Sequence, residues 1–355
     1  MGSPRADGAD RADGMNSADG TPVWLGRRGV PWNVLLGAEL VDTPGVDDVR
    51  ARLAALSQSS GWSAAPAESV TEGTSAELLP RLAALEQPGH PVSVGVTGEG
   101  LLVRAHHAAV DGIGLLAVLA ALTGTAVSSN AKGVTGRAQR SALSTAAARC
   151  RELALRPPAP VSGSPRSGAS GDVFADAVVA RPLRTTEISH AAIAAVAGWN
   201  SARGARSNRV ALAVGVSTVG GADPRVGDDS GFVRLTDVED LTHDELRAAL
   251  AQAPLQVGGT ARSAFTRVTG PVITWASTRF SDRLGSTLLV SHLGSVEAAG
   301  LSSVSFYPLA GTGSGVSLGA ATVQGRTTVT LRARASRHSR DDLQDLIGLI
   351  VAELR

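Results

Sequence analysis

The chain has 355 residues, with 33 Lys and Arg against 32 Asp and Glu, a formal charge of +1 at pH 7. That balance removes any electrostatic case for a nucleic acid or an anionic membrane as partner, and five Phe, five Trp and one Tyr are too few for a base-stacking platform. At 43% hydrophobic and 18% charged, the sequence has the apolar content of a folded core, and its length allows two packed units.

Residues 1–20 repeat Ala-Asp-Gly at Ala6–Gly8, Ala12–Gly14 and Ala18–Gly20 and can bury no face, which predicts a disordered tail. The same stretch is polar and acidic, unlike a secretion signal. Val30 to Leu40 is apolar and strand-like. Asp42-Thr43-Pro44 then announces a helix, with Asp42 as cap and Pro44 in the first turn, carried to about Ser57 by Val46, Val49, Leu53 and Leu56 on one face. Pro91 to Val96 and Leu101 to Ala105 bracket the turn signal Thr97-Gly98-Glu99-Gly100 and predict a hairpin. Gly114 to Leu122 reads as an apolar helix. The longest uncharged, mostly apolar run, Gly112 to Val127, falls short of the ~20 residues a membrane-spanning helix needs.

A helix over 138–155 carries the only cysteine, Cys150, which has no partner for an internal disulfide and reads as inert packing. These features together predict a cytoplasmic chain. Arg156-Pro157-Pro158-Ala159-Pro160 and the Gly/Ser run to Gly171 form the one clear linker. Beyond it the sequence predicts a strand at Val173–Ala180, a helix at Ile188–Asn200 and a buried strand at Val210–Val216. Thr242-His243-Asp244-Glu245 is a capping box opening a short helix. Strands follow at Thr287–Ser291, Val304–Tyr307, Gly315–Val323 and Thr327–Ala333, the last two joined around Gln324-Gly325-Arg326. Ser339 caps a final helix with Leu343, Leu346, Ile347, Ile350, Val351 and Leu354 in one stripe. Strands and helices mixed on both sides of the linker predict an α/β (α+β) fold in two lobes, 21–156 and 172–355, joined by 157–171.

Chemistry concentrates in Leu101-Leu102-Val103-Arg104-Ala105-His106-His107-Ala108-Ala109-Val110-Asp111-Gly112. A strand ends in two histidines, Asp-Gly follows four residues after the second, and an apolar helix begins. Adjacent residues at a strand end point to opposite sides, so one histidine faces a given cleft and the other is packed. A histidine held by a strand and a tight turn has the pKa and rigidity of a general base. Three plainer readings stand beside this one. Asp111 is also a natural helix cap. The two histidines are also plausible satisfied core residues. With Asp111 they supply three metal ligands, but no neighbouring Cys, His or Glu completes a zinc or iron spacing, so no metal is assigned. Gly311-Thr312-Gly313-Ser314-Gly315 lies between strands with no helix after it and does not make a hydrolase elbow. His90, His190, His243 and His338 receive no role.

His106-His107-x-x-x-Asp111-Gly112, at a strand exit before a helix, resembles the signature of the chloramphenicol acetyltransferase-like superfamily. That group includes nonribosomal-peptide condensation domains, wax ester synthase/diacylglycerol acyltransferases and polyketide-associated acyltransferases. The opening strand and helix with Gly61-Trp62, the placement of the linker, and Ser291-His292-Leu293-Gly294-Ser295-Val296 with the closing elements extend the likeness over Pro22 to Arg355. The resemblance implies a V-shaped pseudo-dimer of lobes around a tunnel, with His107 as the catalytic base, His106 packed, and Asp111 and Gly112 structural. Ser291 and His292 become candidates for the tunnel wall or the oxyanion contact. It further implies an acyltransferase of specialised or lipid metabolism with no permanently bound cofactor. An acyl-CoA or phosphopantetheinyl thioester is the co-substrate, and a small hydroxyl or amine is the acceptor. The alternatives are an amide- or ester-forming condensation enzyme served by an acyl or peptidyl carrier protein, and a member that has ceased to catalyse and binds a partner. The sequence departs from the family pattern in three places. Thr218 stands after Val214-Gly215-Val216-Ser217 where relatives carry an Arg for the motif's Asp, which leaves Arg225 and Arg234 as substitutes. The usual Gly-Asn appears as Gly227-Asp228, and the chain is short.

Overall fold

A computed structural model of the protein describes residues 32–85, 89–138, 148, 151–152, 155–165, 168–257, 286–309 and 315–355. The tail expected over 1–20, most of the helix expected over 138–155 with Cys150, and the Gly311–Ser314 segment lie outside the described residues. The first half of the chain supplies β1 (Asn33–Leu40), α1 (Val46–Ser59), β2 (Val70–Glu72), α2 (Ser75–Ala83), β3 (Val92–Thr97), β4 (Gly100–His106), α3 (Gly112–Thr123) and β5 (Val127–Ser129). The second half supplies β6 (Asp172–Val179), α4 (Thr185–Ala202), β7 (Leu212–Ser217), β8 (Ser230–Leu235), α5 (His243–Gln252) and β9 (Gln256–Val257). It closes with β10 (Leu288–Ala298), β11 (Leu301–Tyr307), β12 (Val316–Val323), β13 (Arg326–Arg334) and α6 (Arg340–Glu353).

These elements form two sheets in a mixed α/β arrangement. The first has five strands in the order β11-β1-β4-β3-β2, and the second runs β6-β13-β12-β10-β7-β8-β9 with β5 paired to β10. The motif strand β4 is the central strand of the first sheet, antiparallel to β1 and β3 on either side. Strand β11 comes late in the chain yet pairs with β1, Leu35 opposite Tyr307, so the first sheet is completed from the second half.

Alternation along the strands decides what each face meets. Val34, Leu36, Val103, Ala105 and Val94 form one core with α1 and α3. Leu212, Val214, Leu288, Val290, Leu318 and Leu331 form another with α4 and α6. On its opposite face the first sheet carries Asn33, Leu35, Leu102, Arg104 and Tyr307. A polar seam runs between the sheets there. Arg332 on β13 is fully buried, paired with Asp172 at 2.6 Å, and donates to the Asn33 carbonyl at 2.6 Å and the Pro308 carbonyl at 3.2 Å. Arg104 donates to the Asn33 side-chain oxygen and to the Pro91 carbonyl. Phe174 packs edge-on against Tyr307 beside them.

Several expectations are adjusted. Gly45, not Asp42, precedes the first helical residue of α1 and, lacking a side chain, offers no cap, so the acidic Asp47 and Asp48 in the first turn are left to favour the helix dipole. Helix α2 was not expected, yet Thr74 and Glu77 form a complete capping box ahead of it, and it contains Pro80. Residues 159–164 of the expected linker are held against the second half of the chain. Ala159 and Val161 are buried, Trp199 donates to the Ser162 carbonyl, and Asp342 accepts from both the amide and the hydroxyl of Ser164. Among the described residues, no helix is long and apolar enough to cross a membrane.

Candidate functional site

A cavity of about 1180 Å³ opens between the sheets, walled by His106, His107 and Phe306 from the first and by Ser217, Phe232 and Ser291 from the second. Its volume follows from the sequence of the second sheet. The face turned away from α4 and α6 presents Ala213, Gly215 and Ser217 on β7, Ser291 on β10 and Ser317 on β12, all lining residues. At Gly215 a Cβ would lie 3.0 Å from the Ser291 hydroxyl oxygen, so the glycine lets Ser291 pack closely across the floor.

The motif lies at the exit of β4. Main-chain bonds from His106 to the Pro91 carbonyl (2.8 Å) and from His107 to the Trp32 carbonyl (2.7 Å) continue the sheet one residue past the strand. Ala109 and Val110 both donate back to the His106 carbonyl, turning the chain into α3. Both imidazoles are half-buried, and they differ in their partners. His106 Nδ1 accepts the Ala108 amide at 3.3 Å, which puts the proton of the neutral ring on Nε2. Burial, then Arg104 and His107, pushes the His106 pKa down to about 4. His107 Nδ1 is buried without a hydrogen-bond partner, and 4.0 Å away is Asp228 Oδ1.

Asp111 is the N-cap of α3: Oδ1 accepts the Gly114 amide at 2.7 Å, and Oδ2 accepts the Asp229 amide at 3.2 Å. Its own amide donates to the Gly227 carbonyl at 2.8 Å. Burial pushes its pKa up to about 6; the Gly114 bond opposes that shift and the Asp228 charge adds to it. Gly112 opens α3 and lies against Leu293 and Phe306. Arg225 and Arg234 do not substitute for the family's arginine. Arg225 approaches Asp223 at 3.6 Å, and Arg234 makes a two-pronged pair with Glu152 at 2.7 and 2.8 Å. Main-chain amides hold Asp111 instead.

Ser291 and His292 both line the cavity but are adjacent on β10 and partnered differently. Ser291 shares the floor row with Ala213 and Gly215. His292 Nδ1 lies 3.2 Å from the Thr185 hydroxyl at the start of α4, and burial pushes its pKa down to about 4. His90, His190, His243 and His338 do not line the cavity. Among the described residues, no group of three or more His, Cys, Asp and Glu side chains is arranged to hold a metal ion. In the sequence Gly227-Asp228 stands only as a departure from a pattern, and Gly114 only as the start of a helix. The signal was present in Asp111-Gly112-x-Gly114: a Cβ on Gly114 would fall 2.8 Å from the Gly227 carbonyl oxygen, so this second glycine admits the 225–229 segment against the motif.

No family model matches the chain, and no curated protein does. Solved structures do. The chain is similar to the starter condensation domain of rhizomide synthetase RzmA, as a double mutant in complex with C8-CoA and Leu-SNAC, at 15% identity and a TM-score of 0.54 over 92% of this chain and 89% of that one. It is similar to the EpoB NRPS cyclization-docking bidomain from Sorangium cellulosum at 12% identity and a TM-score of 0.54, over 93% and 81%. It is also similar to the SgcC5 protein from Streptomyces globisporus at 14% identity and a TM-score of 0.51, over 92% of each. Identities this low carry the fold. What the likeness shows is the fold, which the chain shares with these condensation-domain structures.

Proposed function

We propose that the protein is an acyltransferase that moves an acyl group from a thioester to a hydroxyl or amine acceptor, with His107 as general base. The observation that carries this reading is the position of His107. It sits on the rigid exit of a central strand, at the wall of a cavity large enough for a thioester arm and an acceptor together. The complex of the RzmA domain with C8-CoA and Leu-SNAC supports a thioester donor.

In this mechanism His107 Nε2 takes the proton from the acceptor as its oxygen or nitrogen attacks the thioester carbonyl. The tetrahedral oxyanion forms over the floor of the second sheet, where the Ser291 hydroxyl is the proposed donor. His292 is tied to Thr185 and lines the wall. Collapse breaks the C–S bond, and the proton on Nε2 passes to the leaving sulfur. Asp111 and Gly112 hold the loop, and His106, neutral and half-buried, lines the wall beside His107. A thioester is already activated, so no covalent enzyme intermediate is needed. The cavity is the centre of a tunnel between lobes 21–156 and 172–355, which 157–171 joins and β11 interlocks. The donor enters by one mouth and the acceptor by the other. The setting is cytoplasmic, in specialised or lipid metabolism.

The reading is tested by incubating the protein with a panel of acyl-CoA thioesters and acceptors and following free thiol. His107→Ala should lower acceptor-dependent release by about 10²- to 10⁴-fold. His106→Ala should chiefly lower soluble yield. An unchanged rate in His107→Ala overturns the mechanism. A protein that ignores CoA thioesters but consumes an acyl or peptidyl carrier protein's thioester is the condensation-type enzyme. One that consumes neither while binding the carrier is the scaffold.

A further inference from the structure

We infer that Asp228 is the positioning residue of His107, and that Asp111 acts by delivering it. This rests on the proposed role of His107 and goes beyond it. Three contacts clamp the 227–229 segment onto the motif. The Asp111 amide donates to the Gly227 carbonyl at 2.8 Å, the Asp229 amide donates to Asp111 Oδ2 at 3.2 Å, and the bare Cα of Gly114 receives the Gly227 carbonyl. The residue between the two clamped positions is Asp228. Its carboxylate is fixed in turn, Oδ1 accepting from the Ser230 hydroxyl at 2.5 Å and the Ser230 amide at 3.2 Å. That oxygen stands 4.0 Å from His107 Nδ1, a buried ring nitrogen with no hydrogen-bond partner.

The other ionisable groups near His107 do not serve. His106 is neutral and spends Nδ1 on the Ala108 amide, and Asp111 directs its oxygens at the Gly114 and Asp229 amides, so that it adds charge near His107 while Asp228 is the carboxylate 4.0 Å from Nδ1. A carboxylate facing Nδ1 favours the tautomer with the proton on Nδ1 and leaves the Nε2 lone pair free for the acceptor's proton. When that proton arrives, the imidazolium charge is balanced by Asp228. When it leaves with the thiol, the pair returns to its starting state. A closure of about 1 Å, of the kind catalytic hydrogen bonds undergo when substrate binds, turns the 4.0 Å contact into a hydrogen bond.

The experiment uses the full chain labelled with ¹⁵N-histidine, with His107 assigned by the signal lost in His107→Gln. In the wild type its signals should show the Nδ1–H tautomer. Asp228→Asn should move the population toward Nε2–H and lower kcat by about 100-fold or more with KM changed little. Asp228→Glu should restore part of both. Asp223→Asn, an exposed carboxylate paired with Arg225, serves as control and should change neither. A wild-type tautomer and kcat in Asp228→Asn overturn the inference, as does Nε2–H in the wild type. If the wild type transfers no acyl group at all, the reading of function falls. The tautomer measurement still decides whether Asp228 holds His107.

Discussion

The first sheet turns Val34, Leu36 and Val103 toward α1 and α3, and the second turns Leu212, Val290 and Leu331 toward α4 and α6. On these outer faces the two are alike. Their inner faces differ. The second sheet meets the first through bulk and charge where it presents Phe174 and Arg332. It stands off and leaves the cavity where it presents Ala213, Gly215, Ser217 and Ser291. One face therefore both fastens the sheets, through Phe174 on β6 and Arg332 on β13, and opens the space between them, over Ala213, Gly215 and Ser217 on β7 and Ser291 on β10. The motif belongs to the first sheet and the space to the second.

The sharpest way to break that comparison is at the seam. Asp172 is the carboxylate that answers two arginines, Arg332 at 2.6 Å and Arg334 at 2.8 Å, and it is buried with Arg332. Asp172→Asn leaves the Arg332 charge uncompensated and should cost about 3–5 kcal/mol of stability in urea unfolding. Ser317→Ala, on the cavity floor, removes one hydroxyl and should cost about 1 kcal/mol. Equal costs would mean that the seam does not fasten the sheets.

A second measurement isolates the motif. The Asp111 pKa is raised from 3.8 to about 6, so the folded state holds this proton more tightly than the unfolded chain. Its contribution to stability is therefore full below pH 3.8 and is lost as pH rises through about 6. Asp111→Asn keeps an oxygen for the Gly114 amide and cannot titrate. The stability of wild type minus variant should fall by about 2–3 kcal/mol between pH 4 and 7, other groups cancelling in the difference. A flat difference would show that the clamp does not bury the carboxylate.

The elements legible in the sequence are those whose signals are local. Helix α6 follows from the Ser339 cap and its apolar stripe, and the structure adds the reciprocal bond from Asp342. The β12–β13 hairpin follows from Gln324-Gly325, both with positive φ, as a tight hairpin turn requires. What was not legible depends on partners far along the chain. Nothing local tells β11 to pair with β1 instead of a neighbour in its own half. The short strands β2 and β5 exist because β3 and β10 offer them an edge. Asp228 sits 121 residues after His107 in a loop whose course is set by Asp111 and Gly114. Its role is visible only once those main-chain bonds are formed. Helix α2 is the opposite case: Thr74-x-x-Glu77 was readable, and Pro80 obscured it.

Gly114→Ala puts the clamp itself under strain. The new Cβ would stand 2.8 Å from the Gly227 oxygen and 3.0 Å from Val110 Cγ1, so the 225–229 segment must withdraw. Overpacking of this kind should cost about 1–3 kcal/mol. Stability and, under the proposed function, kcat should fall together, because Asp228 withdraws with the segment. A stability loss with kcat intact would separate the clamp from the chemistry.

The smallest effect belongs to the floor. In Gly215→Val the first added atom meets the Ser291 Oγ at 3.0 Å, a contact that the Ser291 rotamer can relieve, and its Cβ at 3.3 Å, which asks the backbone to give by a few tenths of an ångström. The stability change should stay within about 1.5 kcal/mol, since the residue lies on the cavity face and not in the core of Leu212 and Val290. The cavity loses room, and the proposed reaction should lose its largest substrates first: KM should rise with acyl or acceptor size while the smallest pair reacts at the wild-type rate. A uniform fall in kcat across all sizes would instead place Gly215 within the reacting geometry. The second sheet would then supply chemistry as well as space, and the division between the two inner faces would fail.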